Sequence, residues 1–330
     1  MRPLTSKVTR RFVFAIAAPL FTFFFLSSAY AQFRSDTRLV VLHASVNDRR
    51  GKLLTNLDRN DFKVFENGQP QEVKVFKRED VPVSLGIIID DSGSMMSKRS
   101  RVEAASLAMV RASNPQDEVF IVNFNDEAFL DVPFTNDIKK MEQGVARIDS
   151  RGGTAMRDAL SMSLDYIKKE GKRDKKVLLV ITDGNDNASG ISLEKVVARA
   201  NQSDVLVYSI GLFTEEEKRE ASKARRALNE LTTATGGLAF YPKEVAEVQS
   251  LAVEVAHDIR NQYTIAYTPS IQALDGSYRQ IRVTVDAPGK PVVRTRTGYY
   301  ATPDAASLKQ PSNTSENDSQ QPKLNSFRQQ

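Results

Sequence analysis

The chain between residues 33 and 302 predicts an α/β fold: a doubly wound, mostly parallel sheet inserted in a small discontinuous β-sandwich. Three observations predict it. Apolar runs of the buried-strand kind, VPVSLGIII (81–89), EVFIVNF (118–124), KVLLVI (176–181) and DVLVYSIGL (204–212), are separated by segments of helical periodicity. Short alternating strands bounded by turn residues stand on both sides of that region. Two of the buried runs end on oxygen-rich residues, IIIDDSGSM (87–95) and VITDGNDN (180–187), where a packed strand gives no reason for them.

Taken in order, residues 1–31 read as a secretory signal peptide. Arg2, Lys7, Arg10 and Arg11 precede the apolar stretch FVFAIAAPLFTFFFL (12–26), and Ala29-Tyr30-Ala31 is a small-x-small cleavage signal before Gln32. The apolar stretch is shorter than the roughly 20 residues that span a bilayer. The mature chain is therefore expected to be secreted or periplasmic, cleaved after Ala31, with no transmembrane anchor left. The chain's formal charge is +5; the leader carries four of those positives and no acid, which leaves +1 and no argument for nucleic acid. There is no cysteine, which excludes disulfides, thiolate chemistry and a cysteine-linked lipid anchor.

The N-terminal flank, residues 33–80, holds RLVVLHASV (38–46), DFKVFE (61–66) and EVKVF (72–76), punctuated by NDRRG (47–51) and the turn pair Asn67-Gly68. The C-terminal flank, 262–302, holds YTIAYT (263–268), YRQIRVTVD (278–286) and PVVRTR (291–296). Three strands alone make a weak unit. The flanks are therefore expected to combine into one six- or seven-stranded sandwich, discontinuous in sequence. Within 81–261, helices are predicted over 101–113, on the stripe Ile138, Met141, Val145 and Ile148, and on Met156, Ala159, Leu160, Ser163, Leu164 and Ile167. Further stripes run through Leu193, Val196, Val197 and Ala200, and through Val245, Val248, Leu251, Ala252, Val255 and Ile259. AFLDVPF (128–134) reads as an edge strand and GLAFY (237–241) as a short last one. Thr214 with Glu217 forms a capping box for one more helix. The methionines sit at core spacing and read as packing. Residues 303–330, rich in Ser, Asn, Gln and Pro, read as a disordered tail.

In an open α/β sheet, ligands bind beyond the carboxyl ends of the strands. Asp90, Ser92 and Ser94 lie at such an end. Asp183 lies at another, where its carboxylate is expected to face the crevice and water, and RGGTA places Thr154 after two glycines just before a helix. Oxygen ligands converging from three loops suit a hard cation such as Mg²⁺.

Asp90-x-Ser92-x-Ser94, Gly-Gly-Thr154 and Thr182-Asp183-Gly184, in this order and spacing, resemble the metal-ion-dependent adhesion site of von Willebrand factor A (VWA) domains. The resemblance covers about residues 81–261. More loosely, the whole chain resembles the secreted bacterial, acidobacterial-type "VWFA-related" group, through Asp61-Phe62, Glu66-Asn67-Gly68, Tyr263, Tyr267-Thr268-Pro269 and Gly298-Tyr299. The resemblance implies that Ser92 and Ser94 ligate Mg²⁺ directly (Mn²⁺ or Ca²⁺ being alternatives), that Thr154 does so in the ligand-bound state, and that Asp90 and Asp183 act through water or hydrogen bonds. It implies a protein partner that presents an Asp or Glu carboxylate to the metal. Asp91 departs from the uncharged residue expected at its position and is expected to point away from the metal, whereas Asn185 and Asp186 are expected to cap the following turn.

The expected function is a non-enzymatic, metal-dependent protein-binding module for adhesion or complex assembly. The alternative is a structural subunit of an envelope assembly with an incidental or degenerate metal site. A hydrolase needs a base near Ser92 or Ser94, and the chain's two histidines, His43 and His257, stand in no nucleophile context. Phosphotransfer on Asp90 is disfavoured by export.

Overall fold

The computed structural model describes residues 39–78, 80–112, 114–145, 150–213 and 218–302. The predicted leader, the tail, the capping box of Thr214 and Glu217, and Ile148 lie outside the described residues.

The first flank contributes β1 (Val40–Asn47), β2 (Phe62–Glu66), β3 (Gln69–Gln71) and β4 (Val73–Lys77). A six-stranded sheet follows, with helices interleaved: β5 (Val83–Asp90), α1 (Arg99–Arg111), β6 (Glu118–Phe124), β7 (Ala128–Thr135), α2 (Ile138–Val145) and α3 (Met156–Glu170). It continues through β8 (Lys175–Thr182), α4 (Leu193–Ser203), β9 (Val205–Gly211), α5 (Lys218–Thr235), β10 (Ala239–Phe240) and α6 (Val248–Arg260). The second flank supplies β11 (Tyr263–Tyr267), β12 (Tyr278–Val285), β13 (Val292–Arg294) and β14 (Gly298–Tyr300).

The six-stranded sheet has the order β10-β9-β8-β5-β6-β7, parallel throughout except for the antiparallel edge strand β7. Side chains alternate along a strand, so β5 feeds two cores. Leu85, Ile87 and Ile89 pack under α1, α2 and α6. Ile88 packs with Leu178 and Val180 under α3, α4 and α5. Every β5 residue is buried, as the apolar run predicts. The chain leaves β5 towards β6 and later returns on its other side as β8, so strand order reverses between β5 and β8. That reversal opens a crevice at the carboxyl ends of these two strands.

Strands of both flanks interleave in two four-stranded antiparallel sheets, β13-β1-β11-β4 and β14-β12-β2-β3. The register is long-range: Leu42 pairs with Ile265, and Val64 with Val283. The two sheets share one core, in which the Phe62 ring of β2 lies 4.9 Å from the Tyr263 ring of β11. Glu66, at the end of β2, is buried there and accepts hydrogen bonds from the Tyr267 hydroxyl (2.7 Å) and the Tyr299 hydroxyl (3.0 Å). The scattered Glu66, Tyr267 and Tyr299 of the flanks thus meet at one point.

A polar seam joins the sandwich to the α/β region. The Gln262 amide donates to Ser45 Oγ (3.2 Å) and to the Tyr208 hydroxyl (3.1 Å). Tyr208 in turn donates to Asp258 Oδ2 at 2.6 Å, and Arg294 of β13 pairs with the same carboxylate. Gly236 ends α5 at φ +88°, and a Cβ there would stand 2.6 Å from the Arg296 backbone nitrogen, so the close approach needs glycine.

Several sequence expectations differ from the fold. The sandwich has two four-stranded sheets rather than six or seven strands in all, because β3 and β14 were unforeseen. The Asn67-Gly68 turn joins β2 to β3, and β4 crosses to the other sheet. Ile138, expected on the same helix face as Met141 and Val145, is the first residue of α2 and is 44 % exposed. Val245 lies in a 3-10 turn ahead of α6. The methionines do not all pack: Met95 is buried, but Met96 is 68 % exposed.

Candidate metal centre

Three chain segments meet beyond β5 and β8. The first follows β5. Asp90 is its last residue, and its Oδ1 accepts the Ser92 backbone N–H at 2.9 Å. A carboxylate bonded to the backbone two residues ahead turns the chain sharply, and a 3-10 turn, Gly93–Ser97, follows at once. That turn brings Ser92 Oγ and Ser94 Oγ to 3.1 Å from each other. The Asp91 backbone is tied down on both sides, its N–H to Phe124 O (2.7 Å) and its carbonyl to Arg151 N–H (2.9 Å). Its side chain belongs to a residue that is 7 % exposed.

The second segment follows β8. The Thr182 hydroxyl donates to Asp90 Oδ2 at 2.5 Å, bridging the two strand ends across the crevice. Asp183 comes next. Its Oδ1 accepts the Ser94 hydroxyl at 2.7 Å, and its Oδ2 pairs with the Lys98 ammonium. The Asp183 side chain is 1 % exposed, so the expectation that it faces water is corrected: its two oxygens are taken up by the Ser94 hydroxyl and the Lys98 ammonium.

The third segment brings Thr154. Gly152 sits at φ +77°, and a Cβ on it would lie 2.2 Å from Asp126 Oδ2. Glycine therefore lets the loop close on Asp126, whose Oδ1 accepts the Gly153 N–H at 2.8 Å. Thr154 is then held by the loop after β8: its N–H donates to Asn187 Oδ1 (2.9 Å), and its carbonyl accepts from Asn187 (3.1 Å) and Ala188 (3.2 Å). The Thr154 hydroxyl lies against Gly184, 3.3 Å from where a Cβ there would stand.

All five expected residues therefore gather at one crevice. Asp90, Ser92, Ser94 and Asp183 form one hydrogen-bonded set with Thr182, and the third loop brings Thr154 against Gly184 and ties to the serine turn through the Gly93 N–H to Gly152 O bond (3.2 Å). Asp186 does not face the set. It accepts from the Arg157 N–H (2.7 Å), the Arg157 guanidinium (2.9 Å) and Ser189, clamping the first turn of α3. Burial pushes its carboxyl up, but the bonds from Arg157 and Ser189 outweigh it and hold it below its usual value. Asn185 instead donates to Glu220 (2.9 Å). Sequence reasoning missed Lys98, Asp126 and Asn187. For Asn187 a signal existed, since an Asn four residues after a strand-end Asp supplies both a side-chain acceptor and a backbone donor to a neighbouring loop.

Asp90 is 1 % exposed, and its carboxyl is pushed up to about 6, mainly by burial; the bonds from Thr182 and Ser92 oppose this, and the charge of Asp183 adds to it. Among the described residues no group of three or more His, Asp or Glu side chains is placed to hold a metal. A cation in this crevice must therefore draw on hydroxyls. The donor set fits: two oxygens on adjacent corners of a Mg²⁺ octahedron with bonds of 2.0–2.1 Å stand about 2.9 Å apart, close to the Ser92–Ser94 separation of 3.1 Å.

Residues 85–185 match the family model described as von Willebrand factor type A domain. Among curated proteins, an uncharacterized protein of Borreliella burgdorferi is 28% identical over 196 residues, covering 51% of this chain and 57% of that one. Calcium-activated chloride channel regulator 1 of Mus musculus is 24% identical over 176 residues, covering 50% of this chain and 18% of that one. The aligned part thus spans about half the length of the first relative and under a fifth of the second. Among solved structures, a von Willebrand factor type A protein from Catenulispora acidiphila superposes with TM-score 0.49 at 13% identity, covering 80% of this chain and 75% of that one. Proximal thread matrix protein 1 of the mussel byssus, in a structure with a zinc-occupied MIDAS motif, gives TM-score 0.48 at 15% identity, covering 59% and 50%.

Proposed function

We propose, from the premise that this chain carries a von Willebrand factor type A domain, that the crevice beyond β5 and β8 binds one divalent cation and presents it to an Asp or Glu carboxylate of a protein partner. The observation that carries the reading is the pair of serine hydroxyls, 3.1 Å apart and backed by Asp183, at the switch point of the sheet. Ser92 and Ser94 would hold the cation directly, and Thr154 would do so when the partner is bound. Asp90 and Asp183 would act through water or through the hydroxyls they bond. Mg²⁺ is the first choice, with Mn²⁺ and Ca²⁺ as alternatives. When bound, the cation supplies charge that neutral hydroxyls leave largely uncompensated, and hence an attraction for one further anionic oxygen.

The residues around it serve positioning. Thr182 locks Asp90, Asp126 and Asn187 fix the Thr154 loop, and exposed Met96 offers an apolar contact at the rim. We read the protein as exported, following the leader at 1–31, and as acting by binding and not by catalysis. The Ser92 and Ser94 hydroxyls bond each other, and Ser94 donates on to Asp183, a set with no imidazole in it. Among the described residues no helix is long and apolar enough to cross a membrane.

One observation favours a second reading. Lys98 already pairs with Asp183, so that carboxylate has a counter-ion without a metal, as a structural subunit of an envelope assembly would allow. Capture of native envelope proteins on the mature chain, in Mg²⁺ and in EDTA, separates the two. Partners that are held in Mg²⁺ and released by EDTA support the cation-bridged reading; partners retained in EDTA support the assembly reading.

A further inference from the structure

We infer that Lys98 is a tethered counter-ion of the strand-end site: its ammonium holds Asp183 when no divalent cation is present and must leave for one to enter, so Lys98 sets how tightly the site binds a cation. The inference rests on the cation reading above and assigns a residue to it that the five-residue pattern omits.

The geometry is specific. Lys98 follows directly on the 3-10 turn that carries Ser94. Its backbone is fixed: its N–H donates to Met95 O at 2.9 Å, and its carbonyl accepts from Arg101 (3.0 Å) and Val102 (3.1 Å) to start α1. A lysine at the start of a surface helix normally extends into water. Here the side chain turns inward until only 13 % of it is exposed, and it ends on an Asp183 carboxylate that is 1 % exposed. Asp183 then has one oxygen on the Ser94 hydroxyl and the other on the ammonium.

Two consequences follow from the charges. A carboxylate kept from water needs a positive partner, so Lys98 lets the site stay folded and closed when no metal is bound. A divalent cation drawing on Ser92, Ser94 and Asp183 would meet that ammonium a few ångströms away, and like charges in a covered site repel strongly. Entry and retention of the ammonium are therefore mutually exclusive. Lysine suits the exchange because its long stem swings away as one flexible unit, whereas the planar fork of arginine would hold the carboxylate at two points. Charge balance also changes at the rim, where the released ammonium joins the surface that a partner carboxylate approaches.

The test uses the mature chain and Mg²⁺ alone, with Lys98→Met, Lys98→Gln and Lys98→Arg. Calorimetric titration should show Lys98→Met and Lys98→Gln binding Mg²⁺ roughly tenfold or more tightly than wild type, the scale of one charge-assisted hydrogen bond removed from competition. Lys98→Arg should bind no more tightly than wild type. In EDTA the two neutral variants should melt a few degrees below wild type, and they should gain more from added Mg²⁺. Circular dichroism establishes that each variant is folded, and either neutral variant suffices. Equal or weaker Mg²⁺ binding by a folded neutral variant overturns the inference and leaves the cation reading standing. Absence of Mg²⁺ binding in wild type and all variants overturns both.

Discussion

Glu66 in the sandwich and Asp183 at the end of β8 are both buried carboxylates that accept hydrogen bonds from hydroxyls. Their partners differ in how freely they can leave. Glu66 is held by Tyr267 on β11, a central strand of one sheet, and by Tyr299 on β14, an edge strand of the other, rigid phenols fixed by their strands' pairing. Asp183 is held by Ser94 in a short turn and by the flexible stem of Lys98. The same chemistry makes a lock where the partners are fixed, and an exchangeable site where one of them can swing out. The lock spends its hydrogen bonds on joining two sheets and two distant chain segments. The site keeps its hydroxyls at the edge of a crevice, one short side-chain movement from being available.

The comparison is broken hardest by removing half the sandwich. Deletion of residues 33–80 takes away β1 to β4, and with them both partners of β11 and one of the two partners of β12. Limited proteolysis should then cut within 262–302 while the sheet from β5 to β10 survives; unchanged resistance of 262–302 would contradict a sandwich shared by the two flanks. Glu66→Ala should cost about 3–5 kcal/mol in chemical denaturation, since two phenols lose a charged acceptor in a core, and Mg²⁺ binding by the folded fraction should be unchanged.

Tyr267→Phe should cost about 1.5–3 kcal/mol, the range for a hydrogen bond to a charged group. It also sharpens the pH dependence. Burial, then Glu66, raises the Tyr267 phenol far above its ordinary value, and burial with Glu66 raises Tyr299 as well. A phenol whose folded value lies above its unfolded value of about 10 contributes stability that is complete below that pH and is lost as pH rises beyond it. Melting temperature should therefore fall more steeply above about pH 10 in wild type than in Tyr267→Phe; equal slopes would contradict the lock. The smallest stability effect belongs to the site. Asp183→Ala leaves an ammonium that can turn to water, so the cost in EDTA should be about 1–2 kcal/mol, measured by the same denaturation.

Much of this was legible in the chain, for reasons of periodicity. Buried parallel strands show as apolar runs, so β5, β6, β8 and β9 stood out, and their ends located Asp90 and Asp183 at the crevice. The Asn67-Gly68 turn was legible because both residues adopt positive φ, 47° and 80°, which few other pairs tolerate. β3 and β14 were not legible: each has three residues, and QPQ carries a proline and no apolar side chain. Glu66, Tyr267 and Tyr299 could be picked out one by one, but their meeting joins residues 201 and 233 positions apart, which no local pattern encodes. Lys98 stayed hidden for the opposite reason. A lysine opening a helix has an ordinary solvated explanation, and only the fold shows it turned inward onto Asp183.

The most direct measurement is calorimetric titration of Mg²⁺ into the mature chain, with Asp183→Ala and Glu66→Gln beside it. One binding site in wild type, retained in folded Glu66→Gln and lost in Asp183→Ala, is the predicted result. No binding in wild type, or undiminished binding in Asp183→Ala, would contradict the assignment of a cation to the crevice beyond β5 and β8.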